Sequence, residues 1–196
     1  MTSLTQKEKE TLLILFKDFT NYYNANSISK VLGISHVGSQ KIFKKLLNKN
    51  LLIDRRIGKS IIYKINLNDD YVRELIAFLL IDEANNFKRW KEEFKNLYKK
   101  NRIVIMFGSA IKDYSKAKDI DIMIVMEKKE IENINIILKE KEKILPKKIH
   151  AIKLTVDDLL KNLKKKDKVV IDIVKNSIVI YGQNKYVDII KNVTSF

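Results

Sequence analysis

The sequence predicts an α+β chain in three stretches. A helical N-terminal part is closed by a hairpin, a helical linker follows, and a C-terminal mixed sheet is flanked by helices. Three observations carry this. Apolar residues recur at helical spacing through the first fifty positions. Two short apolar runs then flank the glycine-containing segment RRIGKS. From Arg102 onward, β-branched runs alternate with amphipathic stretches, the pattern of helices packed on a sheet.

Each element has a local reason. Gln6–Phe19 carries Leu12, Leu13, Leu15, Phe16 and Phe19 at helical spacing, and Asn21–Asn26 is polar and turn-like. A short helix fits Ser27–Leu32, with Ser27 as N-cap and Ile28, Val31 and Leu32 facing inward. Gly33 supplies the turn, and a second helix fits Ser35–Lys49 behind Ser35, with Ser39, Phe43, Leu46 and Leu47 inward. Leu51–Asp54 and Ile61–Ile65 read as strands, with Gly58 turning the Arg55–Ser60 segment between them. Asp69–Lys100 reads as one long helix or two abutting ones. Its first part, Tyr71–Ile81, is very apolar, and its second, Phe87–Tyr98, is amphipathic. Beyond it, strands are expected at Ile103–Phe107, Ile120–Met126, Lys147–Leu154 and Ser177–Tyr181. Helices are expected at Glu130–Ile144, ended by the only proline, Pro146, and at Thr155–Leu163 behind Thr155.

Composition excludes several function classes. The 196 residues hold no cysteine and only two histidines, His36 and His150. A disulfide scaffold, a thiolate metal site and a His-rich zinc site are therefore ruled out. No apolar run approaches the ~18 residues of a membrane span, and the opening MTSLTQKEKE lacks a signal-peptide core. The expectation is a soluble, cytoplasmic protein without a membrane partner. The formal charge is +15, from 39 Lys plus Arg against 24 Asp plus Glu, which favours polyanionic partners. Part of the lysine excess is compositional, since Lys, Ile and Asn, with A/T-rich codons, make up 81 of the residues. The charge is uneven: net +8 over residues 1–68, zero over 69–100 and +7 over 101–196.

The stretch SISKVLGISHVGSQKIFKKLLNKNLLIDRRIGKSIIYKI resembles a winged helix-turn-helix, over roughly Thr5–Leu67. A short helix, a glycine turn and a second helix project that second helix outward. Its exposed face would carry His36, Val37, Gln40, Lys41 and Lys44. Glutamine can pair with adenine in the major groove, and lysine can reach guanine or phosphate. The hairpin tip offers Arg55, Arg56 and Lys59, suited to phosphate or the minor groove. The expected partner is double-stranded DNA. The other reading is a small helical domain that packs against a protein. His36 is most simply an exposed polar residue on the second helix.

The segment IVIMFGSAIKDYSKAKDIDIMIVME carries the chemistry. An apolar strand ends in Gly108-Ser109, and after a spacer of nine residues a second apolar strand opens with Asp119-Ile-Asp121. Residues two apart on a strand share a face, about 6–7 Å apart. Their carboxylates can converge on one or two divalent cations, as in phosphoryl-transfer sites. Gly108 would let a phosphate approach the backbone, Ser109 could donate to it, and a helix starting near Ala110 would add free N–H groups.

This arrangement resembles the minimal nucleotidyltransferases of the DNA polymerase β-like superfamily, over roughly Phe87–Tyr181. The resemblance implies that Gly108 and Ser109 hold the triphosphate of ATP or another NTP. It implies that Asp119 and Asp121 hold Mg²⁺, or Mn²⁺, for attack by a hydroxyl. The family commonly has a third carboxylate on a later strand, and here the matching position is His150. His150 would act as base or metal ligand, or is a strand residue packed beside the site. The fusion then implies a DNA-binding protein that moves NMP from an NTP to a hydroxyl of a protein or nucleic acid. Relatives of this kind are often antitoxins, so the acceptor would be a separately encoded toxin or another protein. The alternative is a transcriptional regulator whose second domain only binds nucleotide or dimerises. The domains expected are a winged helix-turn-helix at 1–68, a linker or dimerisation helix at 69–100, and a nucleotidyltransferase-like domain at 101–196. A homodimer is expected, with the apolar Leu75–Ile81 as its face or else buried between the domains.

Overall fold

The computed structural model describes residues 3–194. The chain divides into two compact units, one running to Leu79 and the other from Leu80 to Val193.

The first unit is three helices and a hairpin. α1 (Gln6–Lys17) starts in a capping box: the Thr5 hydroxyl accepts from the Glu8 N–H, and the Glu8 carboxylate accepts from the Thr5 N–H at 2.9 Å. The buried Glu8 also pairs with Lys45, 2.7 Å away, which ties α1 to α3 (His36–Asn48). α2 (Ala25–Leu32) begins earlier than the sequence suggested. Its N-cap is Asn24, whose side-chain oxygen accepts from the Ser27 N–H at 2.8 Å, and Ser27 answers by accepting from the Asn24 N–H at 2.9 Å. Ser27 is thus the third helical residue of a capping box, not the cap. The inward stripe of α2 is Ile28, Ser29 and Leu32, and Val31, expected inside, is 56% exposed because it sits about 60° around the helix from the edge of that stripe.

α3 is capped by Ser35, as its sequence implies, and buries Ser39, Phe43 and Leu46, with Leu47 half-buried. The Ser39 hydroxyl lies 2.7 Å from the Ala25 carbonyl, which fixes α3 against α2 across the turn. Phe43 stacks on Tyr63 with ring centroids 3.9 Å apart, which fixes α3 against the hairpin of β1 (Leu52–Ile57) and β2 (Ser60–Ile65). The ladder closes with Ile57 opposite Ser60, so the loop is only Gly58-Lys59. Arg55 and Arg56 therefore stand on β1 itself rather than in the turn. Among the described residues this unit is a winged helix-turn-helix.

α4 (Asp70–Asn85) contains the division between the units. It is separate from α5 (Lys88–Glu93), which runs into a 3₁₀ turn at Lys95–Leu97, so the two-helix alternative holds.

The second unit is built on β3 (Ile103–Phe107), β4 (Asp119–Val125), β5 (Lys148–Leu154) and β6 (Ile178–Tyr181). Their spatial order is β5-β4-β3-β6. β3 is antiparallel to both neighbours, and β4 is parallel to β5. The parallel pair needs a crossover, which α6 (Ile131–Ile144) provides before Pro146. One sheet face buries Ile120, Ile122 and Ile124 of β4 in a core with Trp90, Phe94, Leu97, Ile134 and Leu138. The buried Arg102 anchors the entry to β3, donating to the Leu97 carbonyl at 2.7 Å and to Glu130 at 3.0 Å. Burial acts to raise the Glu130 pKa, but Lys99 and Arg102 outweigh it and hold the carboxyl low.

α7 (Val156–Lys164) packs on β5, and α9 (Gln183–Lys191) on β3. Thr155 caps α7 as expected, with Asp158 closing the capping box. The sequence pattern left α8 (Lys168–Lys175) and α9 unassigned. α8 is a run of Val and Ile that by composition suits a strand, but the Asp167 carboxylate accepts from the Val169 and Val170 N–H groups and starts a helix. No helix among the described residues is long and apolar enough to cross a membrane.

Candidate functional site

The site is set by one pairing register. Side chains two apart on β4 share a face, so Asp119 and Asp121 point together, away from the Ile120–Ile124 core. The parallel ladder places Asp121 opposite His150 and Asp119 opposite Lys148. Further along this face Met123 and Val125 are fully buried, while the two aspartates at the strand's start are only partly covered. The face is thus closed over its far half and open where its charges lie.

Three ligand atoms converge there. The His150 Nδ1 is 3.1 Å from an Asp119 oxygen and 3.8 Å from an Asp121 oxygen. One donor atom from each of Asp119, Asp121 and His150 lies within 4.8 Å of the others. Burial raises the Asp121 pKa, the Asp119 carboxylate raises it further, and His150 acts in the opposite direction. Two carboxylates held this close would gain from a cation between them.

Gly108 closes the site from the other side. Phe107 is paired with Asp121 across β3 and β4, so the residue after Phe107 turns directly over the aspartate. Its φ is +76°, and a Cβ added there would stand 2.1 Å from Asp121 Oδ2. Only glycine satisfies both demands. Ser109 beside it is exposed. The helix expected near Ala110 does not form. Lys112 and Asp113 donate to the Ser109 carbonyl at 3.0 Å in a single turn. The chain then leaves helical geometry because the Asp113 carboxylate takes the Ser115 N–H at 3.0 Å.

Sequence reasoning missed what holds this connection in place. The Lys147 ammonium donates to the carbonyls of Tyr114 and Ala117 and lies 4.4 Å from the Tyr114 ring centroid. Arg89 stands 4.1 Å from the same ring centroid, and Trp90 meets it edge-on at 5.2 Å. Nothing local to the sequence pairs Lys147 with a loop thirty residues earlier.

In the first unit, His36, Val37, Gln40, Lys41 and Lys44 are all exposed on α3, and Arg55, Arg56 and Lys59 are exposed on the hairpin. The side chains of Gln40, Lys41, Lys44 and Arg55 make no hydrogen bond or ion pair among the described residues. The Arg56 Nε donates to the Gly58 carbonyl at 3.3 Å, which ties that side chain to the turn.

Solved structures with some likeness include a variant of Lactococcus lactis ZitR in complex with DNA. It is 18% identical, with a TM-score of 0.37, over 48% of this chain and 64% of that one, so the chain spans under two thirds of that relative. Another is the adhesin competence repressor AdcR from Streptococcus pyogenes. It is 11% identical, with a TM-score of 0.38, over 74% of this chain and 84% of that one. A comparison with the curated proteins found no match. The family described as nucleotidyltransferase domain matches residues 87–181, the stretch that carries Gly108, Ser109, Asp119, Asp121 and His150, and this part of the chain is a nucleotidyltransferase domain.

Proposed function

We propose that the chain is a DNA-binding nucleotidyltransferase that moves NMP from ATP or another NTP to a hydroxyl of a protein or nucleic acid. The observation that carries this is the convergence of Asp119, Asp121 and His150 beneath a glycine that no other residue could replace. The donor set suits a divalent cation: two carboxylates and one imidazole, partly covered, with the carboxylates in mutual repulsion. Asp119 and Asp121 would hold Mg²⁺ or Mn²⁺, which when bound neutralises charge on the phosphates. Gly108 and Ser109 would receive the triphosphate through their backbone and hydroxyl. The acceptor oxygen attacks the α-phosphorus, pyrophosphate leaves, and the hydroxyl proton passes to His150 or, where that imidazole holds the ion, to solvent.

The first unit would bring this chemistry to double-stranded DNA. Gln40 and the lysines of α3 are placed for the major groove, and Arg55, Arg56 and Lys59 for the backbone beside it. Phe78 is 53% exposed on α4 within the apolar stretch, which supports a homodimer through that face. A separately encoded toxin is one acceptor this reading allows, with autoregulation through the winged helix.

The test is incubation of the purified chain with labelled NTPs, Mg²⁺ or Mn²⁺, and cell extract. Label should pass to a macromolecule with the wild type and not with Asp121→Asn. A second reading is favoured by one observation, an imidazole where a third carboxylate would stand: a regulator that binds nucleotide without turnover. Saturable NTP binding with no labelled product under any ion would select it.

A further inference from the structure

We infer that His150 makes this site selective for a divalent ion that accepts nitrogen, Mn²⁺ rather than Mg²⁺. The inference rests on the nucleotidyltransferase reading above and deepens it by naming the ion.

The donor geometry comes first. Around an octahedral ion with bonds of about 2.1 Å, neighbouring donors stand roughly 3 Å apart and opposite ones roughly 4.2 Å. The His150 Nδ1 lies 3.1 Å and 3.8 Å from the two aspartate oxygens, inside that range. The side chain is 62% exposed, so the ring can turn its nitrogen to a ligand without moving the sheet.

Charge comes second. Among the described residues, Asp119, Asp121 and His150 are the only three groups of this kind that converge, so no third carboxylate completes the set. The acid beside His150 is engaged elsewhere: Glu142, which lines the same cavity, accepts the Ile149 N–H at 3.2 Å. Lys148, opposite Asp119 and on the same face as His150, lowers the negative charge further. Mg²⁺ is small, sheds its water reluctantly and takes oxygen donors, so its binding depends on that missing charge. First-row transition ions accept imidazole and lose less.

The experiment uses the full chain, freed of metal, with and without a non-hydrolysable NTP analogue. Mn²⁺ binding is followed by electron paramagnetic resonance, Mg²⁺ by competition, and pulsed measurements read coupling of bound Mn²⁺ to imidazole ¹⁴N. Wild type should show nitrogen coupling, and His150→Ala should lose it. His150→Asp should keep a saturable site while the Mn²⁺-over-Mg²⁺ preference falls about tenfold or more. Far-UV circular dichroism checks that these exposed substitutions keep the fold. Bound Mn²⁺ without nitrogen coupling would overturn the inference, as would an unchanged preference in His150→Asp. Either result leaves the nucleotidyltransferase reading standing. Failure of both ions to bind, even with the NTP analogue, would remove that reading and this inference together.

Discussion

The two units place their polar chemistry in opposite ways. On the winged-helix unit, the residues assigned to DNA project from a finished scaffold. Ser39, Phe43 and Leu46 hold α3 from inside, and Gln40, Lys41 and Lys44 face out with no partner to lose. In the nucleotidyltransferase unit, the polar residues are part of the scaffold's closure. Asp121 is pressed under Gly108, beside Asp119, and opposite His150. Two glycines show the contrast. Gly58 and Gly108 both have positive φ, +57° and +76°. A Cβ at Gly58 would meet nothing within 4 Å, whereas at Gly108 it would strike a carboxylate. A site projecting from the surface therefore tolerates its residues, and one packed against a backbone turn constrains them.

The largest expected effect tests that constraint. Asp119→Asn and Asp121→Asn should each abolish divalent-dependent nucleotide binding or transfer, yet neither should unfold the unit. The pH dependence follows from the raised Asp121 pKa. An acid that binds its proton more tightly when folded favours the fold below the usual carboxylate range, near pH 4. That contribution is lost as pH rises through the raised value. At neutral pH the ionised Asp121 is therefore a cost, which asparagine removes. Without divalent ions, Asp121→Asn should melt at or above the wild type at pH 7, and the gap should close as pH falls below about 4. A lower melting temperature at pH 7 would show Asp121 to be a paired structural acid and break the comparison.

The glycines give the next effect. Gly108→Ala should lose ion and nucleotide binding and melt lower, since it combines backbone strain with a clash. Gly58→Ala should cost only the strain of a left-handed residue, about 1–2 kcal/mol, with nucleotide binding untouched. Calorimetry and nucleotide titration on the two variants sharpen the contrast. Equal losses would show that the carboxylate contact adds nothing.

What the sequence revealed divides along the same line. The Gly-Ser turn and the Asp-x-Asp strand are local signals, and so is the cap at Thr155. His150 could be placed only through the resemblance, because its meeting with Asp121 is set by a parallel ladder across a crossover helix. The Lys147 clamp and the buried Arg102–Glu130 pair join residues about thirty positions apart and leave no local pattern. α8 was hidden because β-branched residues read as strand until a capping aspartate decides otherwise.

On the surface unit the effects should be smaller and graded. Arg55→Ala with Arg56→Ala should weaken duplex binding across all sequences, and Gln40→Ala should change sequence preference instead. If six phosphates are neutralised, wild-type affinity should fall about a thousandfold between 50 and 200 mM salt, and the double variant should fall less steeply. Gel-shift titrations at several salt concentrations measure both. An unchanged slope in the double variant would take the hairpin out of the interface.

The smallest effect concerns the start of α2, where one residue separates two readings of the same segment. If Ser27 were the cap, its loss would expose the first N–H groups of the helix, and Asn24 would be a dispensable loop residue. The hydrogen bonds assign the roles otherwise: Asn24 receives the Ser27 N–H, and Ser27 serves the Asn24 backbone. Asn24→Ala should therefore cost about 1 kcal/mol, the ordinary value of a cap. That is roughly 4–8 °C in the melting of a unit this small. Ser27→Ala removes the returning bond and the hydroxyl's bond to the Asn24 carbonyl but leaves the cap itself, and should cost less. The nucleotidyltransferase unit should melt unchanged in both, because nothing in its core depends on this cap. DNA affinity should follow the melting loss only near the transition, since α3 keeps its own cap in Ser35. A larger loss from Ser27→Ala than from Asn24→Ala would return the cap to Ser27 and shorten α2 by its first turn.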